Sequence, residues 1–358
     1  MKAKEILRQW TRGVKDLLTQ THGHQCKGLA VMSLAMVVSG RCDSGRLSVA
    51  APLAARPASV RRRLERLLAN PRLRPVKLAA QMARSILERW SNRPLLLILD
   101  ETPGANDLRC MKLSVGYRGR AMPLAWECYP MNHPPIPMPK LIWRLLRRVA
   151  RCLPVGANVT LLADRGLSWP AVLDDCVALG WHYVLRLQGS TRVRSGEGDE
   201  QILRDKVPRR GTRWFAQDVE LFKKAGWRRA NVVTTWERRC KEPWLLVTDL
   251  PASYARCRGY CKRMWCEELH RDEKSQGFHW RQSRVADPNH VGRLLLLMAL
   301  ATMLTLSLGA WMLKRGLRSM LETTRVRKLS LFQLGMRWLR ASFVEERPLP
   351  SVISLPPP

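Results

Sequence analysis

Along the first 90 residues the apolar positions recur at helical spacing. In the stretch from Ala58 to Leu68, Val60, Leu64, Leu67 and Leu68 alternate with Arg61, Arg62, Arg63 and Arg66, which predicts an amphipathic helix with a dense arginine row beside its apolar stripe. After Arg93-Pro94 the period shortens. Apolar or alternating runs at 95–99, 112–117 and 121–129 predict three strands in meander order, with Gly119 in the last turn. A loop rich in proline (Pro130, Pro134, Pro135, Pro137, Pro139) then leads to a predicted helix at 141–153, a strand ending at Ala163, a helix at 170–179 and a strand at 183–187. From Gly189 to about Pro243 helical periodicity fades, and strand-like pieces such as 230–236 mark a β-rich insertion. The run Trp244 to Thr248 reads as a returning strand, after which helical texture resumes.

These elements give an α/β chain in five parts: a helical region at 1–90, a first core segment at 91–188, the β-rich insertion at 189–243, a second core segment at 244–320, and a basic helix with a proline-rich tail at 321–358. The helical region is expected to bind DNA, with a helix-turn-helix around 47–68. Pro356 to Pro358 are expected to be disordered. Leu294 to Leu313 contains twenty residues without a charge, long enough to cross a bilayer. Thr302, Thr305, Ser307 and Gly309 within it and basic residues on both flanks favour a buried helix that walls the core.

Charge narrows the class of partner. Of 358 residues, 62 are Lys or Arg against 29 acids, a formal net charge of +33, and residues 1–90 alone hold 18 cations against 5 acids. An extended polyanion, nucleic acid first, is the expected ligand, bound with release of its counterions. The polar N-terminus does not read as a secretory signal, and the ten cysteines show no regular pairing. The expected compartment is the cytoplasm, with free thiols and no membrane.

Within this cationic chain three acids stand out. Asp100 follows the apolar run 95–99, and Asp164 follows 159–163. If those two strands lie parallel and adjacent, their carboxyl ends bring both Asp residues together despite the separation in sequence. Glu267 lies on a predicted helix where Tyr260, Arg263, Glu267 and Lys274 fall on one narrow stripe at 100° per residue, joined by Arg256 and Arg271. Glu268 lies about 100° round the helix and is the weaker choice.

The spacing Tyr260-x2-Arg263-x3-Glu267-x6-Lys274 resembles the Tyr-Arg-Glu-Lys signature of the DDE transposases called the insertion-sequence-four family. Leu99 to Thr102 and Ala163 to Leu167 are similar to that group's first and second Asp motifs, and Trp244 to Leu250 to the strand before its Glu helix. The resemblance covers about residues 94–315. It implies a ribonuclease-H-like catalytic core interrupted by a β insertion before the last acid, in a dimer acting on double-stranded DNA at element ends and target. Asp100, Asp164 and Glu267 would then be catalytic and hold two Mg²⁺, with Mn²⁺ able to substitute. Tyr260, Arg263 and Lys274 would grip phosphates. Some relatives stack a flipped base on an insertion-domain tryptophan, and Trp214, Trp227 and Trp236 are the residues in the corresponding region here.

Other readings have different signatures. A non-catalytic DNA-binding descendant would keep charge and fold without needing all three acids, and a basic protein anchored by 294–313 would need detergent for extraction. Cys257, Cys261, Cys266 and His270 suggest zinc by type, but Cys266 projects more than 90° from the other two cysteines on a helix.

Overall fold

The structure is a computed structural model that describes residues 3–196, 198–345 and 347–358. Its centre is a mixed sheet of ten strands in the order β3-β2-β1-β4-β5-β10-β9-β8-β6-β7. The meander is β1 (Leu95–Pro103), β2 (Leu108–Tyr117) and β3 (Arg120–Pro130). β4 (Val159–Ala163) and β5 (His182–Arg186) follow in parallel with β1, each after a crossover helix, α6 (Met138–Ala150) or α7 (Pro170–Ala178). The segment read as an insertion carries β6 (Arg192–Arg194), β7 (Gln201–Ile202), β8 (Arg213–Leu221) and β9 (Arg228–Thr235). They do not form a separate sheet: β10 (Trp244–Thr248) pairs antiparallel with both β5 and β9 and so splices them onto the central one.

Strand alternation sorts the core into two faces. Leu97, Leu99, Leu161, Ala163 and Leu185 join the large apolar core with the N-terminal helices and the long buried helix, whereas Ile98, Leu162, Val184 and Leu246 face Cys257, Tyr260, Cys266 and Leu269 on the opposite side. The second face is covered by α8 (Tyr254–Tyr260) and α9 (Met264–Arg271), joined by a 3₁₀ turn at Cys261–Arg263.

The N-terminal region folds as α1 (Ala3–Leu17), α2 (Gly23–Ser39), α3 (Ser44–Ala50), α4 (Pro57–Ala69) and α5 (Pro75–Leu87). On α4, Val60, Leu64 and Leu68 are buried while Arg61, Arg62, Arg63 and Arg66 are exposed, the division that the spacing implies. The uncharged run lies in α10 (Pro288–Lys314), whose apolar length is almost wholly enclosed by protein. Arg293 in its second turn is buried as well, and donates to the carbonyls of Leu68 (2.8 Å) and Leu73 (3.1 Å) near the end of α4. A buried guanidinium is tolerated there because helix-terminal carbonyls carry partial negative charge and need donors.

Two expectations for the C-terminus change. The basic helix over 321–344 starts only at α11 (Leu331–Val344), because Ser330 and Gln333 form a reciprocal capping box and the Glu322 carboxylate accepts the backbone N–H groups of Lys328 and Leu329. The proline-rich tail is ordered against the core. Ile353 and Leu355 are buried, Trp90 Nε1 donates to the Leu355 carbonyl at 3.3 Å, and Arg118 donates to that of Pro357 at 2.9 Å. Proline lacks an N–H and has little backbone freedom to lose, so an extended Pro-rich strand with two apolar side chains docks at low entropic cost.

Candidate active site

β1 and β4 run parallel with Ile98 opposite Leu162 and Leu99 opposite Ala163. Asp100, within β1, and Asp164, just after β4, come next. Side chains two residues apart share a face of a strand, so both carboxylates project where Ile98 and Leu162 do, towards α8 and α9. Glu267 reaches the same place from α9.

One cation ties the three together. Arg263, in the 3₁₀ turn between α8 and α9, donates from Nη1 to Asp100 Oδ1 at 3.2 Å and from Nη2 to Glu267 Oε1 at 3.2 Å, and Nη2 lies 3.8 Å from Asp164 Oδ2. Its side chain is 11% exposed. Arg263 thus stays on the stripe it shares with Glu267, one turn away, and the guanidinium expected to grip phosphate is bound among the acids. The site opens to solvent through Asp164 and Glu267, 34% and 40% exposed, with Asp100 deeper at 13%.

The surroundings brace each acid. The Tyr260 hydroxyl lies 3.3 Å from the Ala163 carbonyl and 3.4 Å from Asp164 Oδ1, and Arg186 Nη1 is 3.8 Å from the same carboxylate oxygen. His270 Nδ1 lies 3.3 Å from Asp100 Oδ2. Burial pushes the Asp100 carboxyl up to about 6, opposed by Arg263 and reinforced by Glu267 and Asp164. Burial, with Lys112, Lys274 and Arg263 adding to it, holds His270 far below the usual imidazole range, so it is neutral beside Asp100. Arg186 carries no mark in the motif spacing that ties it to the two aspartates. Cys266 and His270 stood out in the sequence only by type, as metal-ligand residues grouped with Cys257 and Cys261, and His270 lies one turn after Glu267.

The other residues expected at the site are more dispersed. The stripe through Lys274 is broken by a π turn at Asp272–Gln276, which buries Asp272 and Glu273 and turns Lys274 Nζ onto Thr102 Oγ1. Glu273 forms a buried ion pair with Lys112 of β2. Burial, then Lys112, brings Lys274 down to about 8. Arg271 is exposed and bound to Glu268 at 2.7 Å, and Glu268 also pairs with Arg120 at 3.1 Å, away from the three acids. Arg256 is half-buried. Trp214, Trp227 and Trp236 are half-buried, each with a cation over its ring: Lys206 at 4.9 Å, Arg194 at 4.4 Å and Arg204 at 4.2 Å. A base stacking on the face that holds the cation would have to displace it.

The donor set suits a divalent ion. Asp100 and Glu267 carboxylate oxygens and Cys266 Sγ lie within 4.8 Å of one another, and a guanidinium already satisfies the three acids. No curated protein matches this chain. The family described as "Transposase DDE domain" matches residues 99–304, more than half of the chain and a span that contains all three acids. The chain belongs to the DDE transposase domain family.

Proposed function

We propose that the protein is a DNA transposase of the insertion-sequence-four group, with the Tyr260, Arg263, Glu267, Lys274 series as its signature, which cleaves DNA at the ends of a mobile element and joins those ends to a target. The observation that carries this reading is that a single guanidinium, Arg263, is in reach of all three carboxylates. Strand order supports a ribonuclease-H-like core: an antiparallel meander feeds a parallel pair, and the second face carries the Glu helix.

In this reading Asp100, Asp164 and Glu267 hold two Mg²⁺ ions, replaceable by Mn²⁺. Such ions, when bound, make water or a 3′-hydroxyl a stronger nucleophile and neutralise charge on the leaving oxygen. The chain's own side chains do the rest. Tyr260 and Arg186 fix the Asp164 carboxylate, His270 fixes one oxygen of Asp100, and Arg263, once released from the acids, supplies a bidentate cation for a phosphate at the cleaved end. Lys274 on Thr102, two residues beyond Asp100 along β1, places a second charge beside the site. The excess of cations over acids supplies binding to DNA independent of sequence, and joining two ends calls for a homodimer.

Incubation of the purified chain with DNA carrying the ends that flank its gene, with Mg²⁺ or with chelator, tests this reading. Cleaved ends and joined products that require Mg²⁺ support the transposase. Cleavage without joining identifies a nuclease, and DNA binding without either product identifies a non-catalytic descendant.

A further inference from the structure

Cys266 sits one residue before Glu267 and is 1% exposed, in the apolar cluster with Ile98, Leu162, Tyr260 and Leu269. Buried cysteine commonly serves as a small apolar side chain with an inert thiol. Here the sulfur is turned to the charged side of that cluster. It lies within 4.8 Å of an Asp100 carboxylate oxygen and accepts from Arg263 Nη1 at 3.8 Å, the same nitrogen that donates to Asp100. Among the described residues, Asp100, Cys266 and Glu267 are the one set of three His, Cys, Asp or Glu groups whose donor atoms approach within 4.8 Å of one another. Cys257 and Cys261 are not part of it.

A donor set of two carboxylates and a thiol does not suit Mg²⁺ alone. Mg²⁺ takes oxygen ligands, whereas a thiolate selects zinc-like and softer divalent ions. A tetrahedral zinc with oxygen and sulfur ligands places neighbouring donors about 3.5 Å apart, so a closure of roughly 1 Å, within reach of side-chain rotation, would complete such a site. Arg263 already holds a positive charge against these atoms.

We propose that Asp100, Cys266 and Glu267 form a binding site for a thiophilic divalent ion of the zinc and cadmium class, which displaces the Arg263 guanidinium and competes with the hard ion of the transposition reaction. The inference rests on the reading that Asp100 and Glu267 hold that hard ion. On binding, the Cys266 S–H bond breaks, a sulfur–metal bond forms, and one proton passes to solvent; no electrons are transferred. The site would make the enzyme sensitive to zinc-like ions while Mg²⁺ is present, through a residue that Mg²⁺ does not need.

Titration of the metal-free, full-length chain with Co²⁺ tests this directly, because a thiolate bound to Co²⁺ gives a near-ultraviolet charge-transfer band that carboxylates do not. The native chain is expected to show the band saturating at one ion per chain, Cys266→Ser and Cys266→Ala to lose it, and Glu267→Gln to bind at least tenfold more weakly. Unfolding temperatures confirm that the variants are folded, and the two Cys266 variants differ in whether they keep a polar group. Cd²⁺ is expected to inhibit Mg²⁺-supported cleavage by the native chain, with the half-inhibiting concentration at least tenfold higher for Cys266→Ser, each measured against its own uninhibited rate. A native chain without the band, or a band that survives in both Cys266 variants, overturns the proposal. If the native chain cleaves with Mg²⁺ and shows no band, this inference alone fails; if it shows the band but cleaves under no condition, the binding site stands and the competition with a hard ion of transposition fails with the transposase reading.

Discussion

Arg263 shows how a cation can preserve a set of like charges until a ligand arrives. Three carboxylates facing one another without it would repel, and the deepest, Asp100, is already held up near 6 by burial. That value has a sign. A carboxyl whose folded pKa lies above its unfolded value favours the protonated form in the fold, so ionising it costs stability as pH rises through 4 to 6 in the metal-free protein. A divalent ion reverses the preference by competing with that proton. Mn²⁺ affinity, followed by the paramagnetic signal of free Mn²⁺, is therefore expected to be steady above pH 7 and to fall by about tenfold per unit below pH 6, where one proton must leave for each ion bound; an affinity that does not change between pH 5 and 7 would contradict an Asp100 that is both a ligand and protonated by burial in that range. Asp100 and Asp164 were legible in the residues themselves, since each follows an apolar run in a chain where acids are scarce, and Glu267 stood out by its helical spacing from Tyr260, Arg263 and Lys274. The pairing of Arg263 with the acids and the approach of Cys266 to Asp100 were not legible, because spacing gives the face a side chain lies on and not the partner it meets there.

At the scale of elements, Asp100 and Asp164 were expected together on the condition that the strands before them lie parallel and adjacent, and the structure meets that condition. The helix carrying Glu267 reads less simply. Its α, 3₁₀, α and π windings differ in residues per turn, so a pattern laid out at 100° per residue drifts beyond one or two turns, and Lys274 ends on Thr102 instead of beside Glu267. Helix packing shows a second constraint that composition does not display. α10 and α11 cross at Gly309 and Gly335, where an added Cβ would stand 2.1 Å from the Leu331 carbonyl oxygen and 1.8 Å from that of Thr305. Backbone, not a flexible side-chain tip, meets the new atom. Gly335→Ala is expected to lower stability by about 3 kcal/mol as the two helices are forced apart, read as a shift in the urea midpoint, and an unchanged midpoint would place the helices further apart than described.

At the scale of the molecule, the insertion and the tail are the features that the pattern of residues left unplaced. Both depend on contacts between segments far apart in sequence: β10 must lie between β5 and β9 for the insertion to extend the sheet, and the tail must find Trp90, the end of α5 and α10. Nothing local in Pro356-Pro357-Pro358 predicts that. Removal of residues 349–358 takes away Ile353 and Leu355, which are 6% and 1% exposed, and uncovers the apolar surface they pack on. At roughly 1.5–3 kcal/mol for each buried aliphatic side chain, the truncated chain is expected to lose about 4 kcal/mol, seen as a lower unfolding temperature, whereas an unchanged temperature would mean the tail does not dock. The architecture as a whole serves to bring three acids, drawn from two strands and a helix, to one opening in a cationic surface. The most direct test compares Asp100→Asn, Asp164→Asn, Glu267→Gln and the triple variant in single-turnover Mg²⁺-dependent cleavage of element-end DNA, with DNA binding measured alongside. Residues that act as one unit lose their effect together, so each single variant is expected to slow cleavage by about a thousandfold or more, the triple to be little worse than any single one, and binding to persist in all four. A single variant that cleaves at close to the native rate would contradict the three-acid site.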